Sequence, residues 1–280
     1  MHFDYTTVGH VTIDILADGT RQAGGAAFYS ALQAARLGHR AQILTQGVAA
    51  EIEQLLAPYR QELELRVLPA PATTTLVTSG SGAARVQSMQ AWAGAIAATP
   101  ELDTAILHLA PVAREIPLGW RGPGGFLGIT PQGLARDWSG TRGAIRQVRA
   151  DPAATALGEH ADAVVLSELE RDSCAELIAA ARTGGAVVVV TDGEHPSTIL
   201  HGDGSASTCA VPALAEMADD LGAGDVFAAA LFISLAEGDD AQAAVRFATA
   251  AAAVRMGARG ASAVGDRAKI EARLRETAPR

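Results

Sequence analysis

Short apolar runs alternate with longer segments of helical periodicity along most of the chain. The runs at 163–166 and 186–190 are continuously apolar, as expected for strands that are buried on both faces of a parallel sheet. Further strands are predicted at 5–9, 41–45, 105–109 and 126–129, and helices at 26–37, 168–181, 225–236, 240–254 and 267–275. This alternation predicts an α/β protein with a doubly wound, mostly parallel sheet flanked by helices.

One region interrupts the alternation and predicts a separate small sheet. Two polar strand patterns, 73–78 and 84–90, flank the sequence Ser-Gly-Ser-Gly at 79–82, which is typical of a hairpin turn. Together with 11–15, the hairpin is expected to form a small β lid, contributed by residues 11–22 and 72–91. Because the sequence has no evident repeat or linker, residues 1–280 are interpreted as a single domain with this lid.

The composition narrows the classes of function. A formal net charge of −9 argues against a nucleic-acid-binding surface, which requires a basic face. The apolar runs fall well short of the roughly 20 residues that span a bilayer, and the first residues lack the pattern of a secretion signal. Cys174 and Cys209 form no metal-ligand pattern and are expected to be free buried thiols. We therefore expect a cytoplasmic protein that binds neither nucleic acid nor membrane.

The single lysine restricts how this chain could hold phosphate groups. Lys269 lies close to the end of the chain, whereas a P-loop enzyme needs lysine in its glycine loop and a protein kinase needs one on an early strand. A phosphotransferase with this sequence would therefore hold phosphates with backbone amides, arginine or a metal ion.

The segment 219–225 (Asp-Asp-Leu-Gly-Ala-Gly-Asp) is the strongest candidate for a chemical site, and it precedes the apolar segment 226–232. Glycines directly before a helix leave its first amides unpaired, and these amides stabilise an anion together with the helix dipole. Asp225 could then accept a proton from an alcohol while the amides hold a phosphoryl group. The alternative is a simple turn with an N-cap aspartate. A dinucleotide site is disfavoured because Phe227 stands at the position of its third glycine.

Two further candidates lie near the start of the chain and one in the predicted hairpin. Gly24 and Gly25 form either a tight loop or a place where a polar ligand approaches the backbone. Asp14 is either a solvated loop carboxylate or, at the carboxyl edge of the sheet, a ligand for substrate hydroxyls. Arg85 and Gln87 are candidates for substrate contact, with a solvated hairpin face as the alternative.

The order and spacing of these segments resemble the ribokinase-like, or phosphofructokinase-B-type, family of carbohydrate kinases. The segment 8–14 (Val-Gly-His-Val-Thr-Ile-Asp) is similar to the family's first strand and substrate-binding aspartate, and 24–38 is similar to its N-terminal signature. Residues 167–170 (Ser-Glu-Leu-Glu) stand at its Asn-x-x-Glu motif, and 191–193 (Thr-Asp-Gly) at its nucleotide-side turn. Residues 222–225 match its anion hole and catalytic base.

This resemblance implies ATP-dependent phosphorylation of a hydroxyl on a sugar or cyclitol, with ATP and Mg²⁺ as cofactors. Asp225 would be the catalytic base, with an anion hole formed by Gly222, Ala223 and Gly224. The implied ligand-binding residues are Asp14, Gly24, Gly25 and Tyr29 for the substrate, Ser167, Thr191 and Gly193 for ATP, and Glu170 for Mg²⁺. Asp219 lies either in a turn or near a loop that binds a monovalent cation. Free edges of the lid strands could pair two subunits into a homodimer.

Within the family, the Gly-His-Val start and the segments 130–133 and 247–256 look most similar to myo-inositol kinases. The sequence also departs from the family pattern. Tyr29 and Thr78 stand where asparagine is common, Ser167 replaces the asparagine of Asn-x-x-Glu, and Asp-Leu at 220–221 replaces a pair of threonines. These departures leave two alternatives open, a nucleoside kinase and a non-catalytic relative that binds a nucleotide or metabolite.

Overall fold

The computed structural model describes residues 2–81, 84–96, 101–118, 120, 125–140, 142–212, 214 and 216–277. Its large sheet has nine strands in these ranges: β1 (Phe3–Val8), β4 (Ala41–Gly47), β5 (Leu63–Pro69), β8 (Thr104–Leu109), β9 (Phe126–Ile129), β13 (Ala163–Ser167), β14 (Val187–Asp192), β15 (His195–Leu200) and β16 (Ala206–Cys209). Their order is β16-β15-β14-β13-β9-β8-β1-β4-β5. The strands from β14 to β5 are parallel, and β15 pairs antiparallel with both of its neighbours. The predicted mostly parallel sheet is confirmed.

Helices cover both faces of this sheet. They are α1 (Ala26–Arg36), α2 (Ala49–Leu55), α3 (Thr155–Gly158), α4 (Ala175–Thr183), α5 (Ala223–Ala236), α6 (Ala241–Met256) and α7 (Arg267–Thr277). Successive strand residues point to opposite faces, so Val165 and Val189 join a core with α1, α5 and α6, whereas Val164 and Val188 join a second core with α3 and α4. No helix within the described ranges is long and apolar enough to cross a membrane.

A small sheet has five strands in the described residues: β2 (Thr12–Ile15), β3 (Arg21–Gly24), β6 (Thr75–Ser79), β7 (Val86–Ala91) and β11 (Gly143–Ala144). Their order is β11-β7-β6-β2-β3. The predicted strands at 11–15 and in the hairpin are present, and residue 82 of the predicted turn lies outside the described residues. The sequence does not predict β3 or β11, because both are short and β11 pairs with a strand about 50 positions earlier. Two further short strands, β10 (Arg136–Asp137) and β12 (Arg146–Gln147), pair with each other beside it.

The predicted helix at 168–181 is wrong in its first half. A 3₁₀ turn occupies Glu168–Glu170, and α4 begins only at Ala175. A capping box begins this turn: the Ser167 hydroxyl accepts from the Glu170 N–H, and the Glu170 carboxylate accepts from the Ser167 N–H at 2.8 Å. The turn does not continue into α4, because Asp172 and Ser173 follow it and these residue types favour turns over helix interiors. The strands β5, β15 and β16 are also absent from the prediction, because they lie at or next to the edges of the sheet, where polar residues dilute the apolar pattern.

Phe232 anchors α5 on the sheet. A Cβ atom added to Gly128 of β9 would lie 2.3 Å from the Phe232 ring, so the ring rests directly on the strand backbone. The ring centroid also lies 4.9 Å from that of His108 on β8. Because a helix is rigid over this length, the contact fixes where the first turn of α5 lies relative to the sheet.

Gly128→Ala is expected to destabilise the protein by about 1–3 kcal/mol, the usual range for overpacking, because the new methyl group has no space against Phe232. The free energy of unfolding in urea measures the change. The double variant Gly128→Ala/Phe232→Leu should lose less than the sum of its two single variants. Gly257→Ala is the control, because a Cβ there meets nothing closer than 3.4 Å. Additive losses in the double variant would contradict direct packing.

Candidate active site

The candidate site lies at the carboxyl edge of the large sheet. The parallel strands β13 and β14 end at this edge, which is where ligands bind in open α/β sheets. A cleft of about 1180 Å³ is lined here by Ser167 and Glu170 after β13, by Thr191 and Gly193 at the end of β14, and by the start of α5. Residues predicted to bind nucleotide and residues predicted to bind the transferred phosphoryl group therefore share one cleft.

The glycine turn before α5 offers two backbone amides to an anion. Gly222 has a φ of 78°, in the left-handed region that favours glycine. The Ala223 N–H donates to the Asp220 carbonyl at 3.2 Å, so this member of the predicted anion hole is already paired. The N–H groups of Gly224 and Asp225 donate to no acceptor within the described ranges. A Cβ on Gly224 would meet nothing within 4 Å, which leaves room for a ligand against the backbone.

Asp225 lies in the first turn of α5 and is partly buried. Burial raises the pKa of its carboxyl from 3.8 to about 6. The positive charges of Arg136 and Arg85 oppose this increase, whereas the carboxylates of Glu170 and Asp14 add to it. A carboxylate whose pKa lies close to neutral pH is suited to act as a general base.

Two contacts hold the early glycine loop beside the late glycine turn. The Ser30 hydroxyl donates to the backbone carbonyl of Asp225 at 3.0 Å. A Cβ on Gly222 would lie 2.3 Å from the Tyr29 ring, so the turn rests on that ring. Ser30 and Tyr29 both belong to α1, and Gly25 is the N-cap of this helix. The two glycine segments therefore occupy the same part of the molecule.

The early glycine loop leaves space for Asp14. A Cβ on Gly24 would lie 2.1 Å from Oδ2 of Asp14, and Gly25 has a φ of 93°. Asp14 is 2% exposed and accepts a hydrogen bond from the Thr12 hydroxyl at 2.8 Å. Burial raises the pKa of Asp14 to about 6, although the Thr12 hydrogen bond and the two nearby arginines lower it. Asp14 is thus a buried acid rather than a solvated loop carboxylate.

Two arginines line the cleft and connect the small sheet to two loops, at Val112 after β8 and at Asp220 before α5. Arg85, directly before β7, forms an ion pair with Asp220 at 2.5 Å. Arg136 donates to Oε1 of Gln87 at 2.9 Å and to the Val112 carbonyl at 3.2 Å. Arg85 and Gln87 are therefore not on a solvated hairpin face, which was the alternative from the sequence.

Arg136 is not among the residues that the sequence predicts for the site. Burial lowers the pKa of its guanidinium, but four carboxylates counteract this effect. These are Glu170, Asp225, Glu115 and Asp14. One signal was available, because a phosphate site in a chain whose single lysine lies at position 269 needs arginine for positive charge.

Tyr29 lies away from the cleft lining. Its side chain is 1% exposed and packs between Gly222 and Arg255, whose guanidinium carbon is 5.3 Å from the ring centroid. The Tyr29 ring therefore supports the glycine turn from its buried side. It presents no exposed surface to a substrate in the cleft. Tyr29 lines a separate pocket with Ile13 and Ala23, and its predicted substrate contact stays a prediction.

The cleft also has an apolar wall. Its apolar side chains are Val211, Pro212, Leu214, Met217, Phe227, Ala252, Ala253 and Met256. Polar groups able to face phosphates and an apolar surface able to face a flat ring therefore occur in one cleft, a combination that is usual for small-molecule sites.

The family model described as "pfkB family carbohydrate kinase" matches residues 127–267, which is half of the chain. This protein belongs to that family, as the sequence motifs predict. Among curated proteins, the bifunctional protein HldE of Nitrobacter hamburgensis is 34% identical over 139 residues, which cover 44% of this chain and 28% of that protein. The chain thus corresponds to less than a third of that relative's length.

Several solved structures share the fold over nearly the whole chain. A pyrophosphate-dependent kinase in the ribokinase family, complexed with a pyrophosphate analog and myo-inositol, superposes with a TM-score of 0.75 at 20% identity, covering 96% of this chain and 99% of that one. Arabidopsis thaliana ribokinase with ribose and ATP gives a TM-score of 0.74 at 18% identity, covering 98% of this chain and 99% of that one. Burkholderia thailandensis nucleoside kinase with inosine gives a TM-score of 0.77 at 19% identity, covering 97% of each chain. At these identities the similarity shows the ribokinase-like fold.

Asp225→Asn is expected to raise the free energy of unfolding at pH 7.5 by about 1–2 kcal/mol. The difference between the folded-state pKa of about 6 and the ordinary value of 3.8 corresponds to roughly 3 kcal/mol of unfavourable charge burial at high pH. Partial solvent access reduces this energy. Because the folded-state pKa is the higher one, this group makes the wild type more stable as pH falls from above 6 towards 4, and the variant should lack this gain. Urea denaturation at pH 7.5 and 5 measures both effects, with exposed Asp172→Asn as the control. A stability loss at pH 7.5 would contradict the unfavourable burial of this charge.

Proposed function

We propose that this protein transfers the γ-phosphoryl group of ATP to a hydroxyl of a sugar or cyclitol. The observation that supports this most directly is the position of Asp225. It lies in the first turn of α5, where its own N–H and that of Gly224 are unpaired within the described part of the chain, and it is within electrostatic range of Asp14 in β2, beside the early glycine loop. Asp225 is thus close both to Asp14, which would bind the acceptor, and to the anion-binding turn, which would bind the donor.

The acceptor is proposed to bind between the small sheet and the glycine turn. Asp14 accepts hydrogen bonds from its hydroxyl groups, and Gly24 and Gly25 let the ligand approach the backbone. The small sheet, with residues 11–22 and 72–91, acts as a lid in this proposal and contributes Arg85 and Gln87. Asp225 takes the proton of the attacking hydroxyl as the oxygen bonds to phosphorus and the bond to the departing diphosphate breaks.

The charge on the transferring group is proposed to be neutralised by amides and arginines. The amides of Gly224 and Asp225 face the phosphoryl oxygens, and Arg85 and Arg136 supply two positive charges in the same cleft. Phosphoryl transfer depends mainly on such positioning and charge stabilisation.

The donor is proposed to lie with its phosphates near Glu170 and its base against the apolar wall. Ser167, Thr191 and Gly193 line this part of the cleft. Glu170 fits Mg²⁺, because a hard cation prefers carboxylate oxygen and is usually held by one or two carboxylates with substrate phosphates. Oε2 of Glu170 accepts from the Ser167 N–H at 2.8 Å, which orients the side chain. Bound Mg²⁺ would supply positive charge to the donor phosphates. A homodimer formed through the small sheet and a cytoplasmic location remain predictions.

The proposed reaction is tested by incubating the protein with MgATP and a panel of sugars, cyclitols and nucleosides, and following products by a mass increase of one phosphoryl group. Magnesium pyrophosphate replaces MgATP in a parallel series. A phosphorylated sugar or cyclitol formed with ATP is expected. Products only from nucleosides would support the nucleoside kinase, and products only with pyrophosphate would overturn the proposed donor. Tight ligand binding without any product would identify a non-catalytic relative.

Asp225→Asn is expected to lower kcat by about 10²–10⁴-fold, the usual loss when a general base is removed, while the Kd for MgATP changes little. The product-formation rate and calorimetric titration with MgATP measure the two quantities. The matched control is Asp172→Asn, which makes the same substitution on the surface. Near-normal turnover in Asp225→Asn would remove this residue from its proposed role.

The kcat/KM of the wild type is expected to fall as pH decreases through about 6, because Asp225 and Asp14 both take up protons in this range. Two coupled acids should give a slope steeper than that for one proton. Asp14→Asn should retain the acid limb with the slope of a single ionisation. An unchanged slope in that variant would show that Asp14 does not titrate in the active form.

A further inference from the structure

An arginine is the largest side chain that is fully buried among the described residues. Arg255 lies in the last turn of α6 and is 0% exposed. Arginine is rarely buried in this way unless it is paired, because removing its charge from water is costly. One of its partners, Asp219, lies shortly before the glycine turn, so its position relates to the candidate site and not only to the packing of α6.

The guanidinium of Arg255 is surrounded by oxygen atoms and one aromatic face. Nη2 donates to Oδ2 of Asp219 at 2.8 Å. Nη1 donates to the carbonyl of Ala258 at 3.1 Å and to that of Asp219 at 3.4 Å. Tyr29, on which Gly222 rests, lies under the guanidinium at 5.3 Å. A carboxylate and two carbonyls are hard oxygen ligands of the type that also accept metal cations.

Asp219 connects this charge to the glycine turn. Its carboxylate accepts from the Leu221 N–H at 3.0 Å and from the Gly260 N–H at 3.0 Å. Burial alone would raise the pKa of Asp219, but the hydrogen bonds from Arg255, Leu221 and Gly260 outweigh this effect and hold the pKa below its ordinary value. Asp219, three residues before Gly222, is therefore fixed to the loop after α6 through an ionised carboxylate.

We infer that Arg255 is a positioning residue for the glycine turn, and that its guanidinium supplies, as part of the chain, the positive charge that a bound monovalent cation would otherwise supply there. The sequence leaves two interpretations of Asp219, a turn residue and a residue near a cation-binding loop. The contacts agree with both, because Asp219 accepts from the Leu221 N–H of the turn and its oxygen atoms bind a cationic side chain. The phosphate-binding role of the turn rests on the proposed function, whereas its dependence on Arg255 does not. One consequence is that the order of the turn should be independent of Na⁺ and K⁺.

Amide hydrogen exchange of the paired N–H groups in 219–226, which are those of Leu221, Ala223 and Val226, tests the inference without a substrate. Wild type, Arg255→Met and Arg255→Lys are compared in choline chloride, potassium chloride and guanidinium chloride at equal low concentrations. The matched control is Arg246→Met, on an exposed position of the same helix. We expect wild type and Arg246→Met to exchange equally slowly in all three salts. Arg255→Met should exchange at least about tenfold faster in 219–226, with partial recovery in Arg255→Lys or on adding potassium or guanidinium ions.

Unchanged exchange of 219–226 in Arg255→Met would overturn the inference, as would a wild type whose turn is protected only in potassium chloride. If Arg255→Met fails to fold by circular dichroism, Asp219→Asn replaces it and is judged by the same exchange criteria. An assay of kcat with the accepted substrate is then added. A displaced turn should lower kcat by about 100-fold, with partial recovery in Arg255→Lys. If the wild type phosphorylates nothing, the proposed function fails, while the exchange result still decides the role of Arg255.

Discussion

The contact between α1 and the start of α5 is the constraint on which the rest of the site depends. The Tyr29 ring lies where a side chain of residue 222 would be, and the Ser30 hydroxyl binds the Asp225 carbonyl across 195 positions of sequence. Only glycine allows the turn to approach the ring this closely and to adopt a positive φ. Since α1 begins at the early glycine loop, which packs against Asp14, this helix contact fixes the position of Asp14 relative to Asp225.

The electrostatics of the site follow from burying several acids near few cations. Asp14 and Asp225 have pKa values raised by burial, and Arg85 and Arg136 limit the increase for both. Each arginine is also engaged with the protein, Arg85 by Asp220 and Arg136 by Gln87. The positive charges therefore lie in defined places before any ligand is bound. Preorganised charge of this kind is what stabilises a phosphoryl group without reorganisation during the reaction.

The similar structures show how little the fold alone says about substrates. Their names include kinases that use pyrophosphate or bind ATP, and ligands as different as myo-inositol, ribose and inosine. The same sheet and helices therefore accommodate different donors and acceptors. In this chain, the features that bear on the choice are local ones: the apolar wall of the cleft, which is proposed to face the donor, and Asp14 with Arg85 and Gln87, which are proposed to contact the acceptor.

The sequence by itself determined the α/β alternation, the glycine turn with Asp225, the early glycine loop with Asp14, and the family. These features are local, because apolar periodicity and glycines before a helix act through neighbouring residues. Helical periodicity at 168–181 did not show the local break there, where a capped turn at Glu168–Glu170 is separated from α4 by Asp172 and Ser173, which favour turns. Nor did the sequence reveal Arg136, the burial of Tyr29, or the pairing of Arg255 with Asp219. Only the tertiary structure decided these three features. Each depends on charged groups or rings from segments far apart in sequence, which folding brings together and buries.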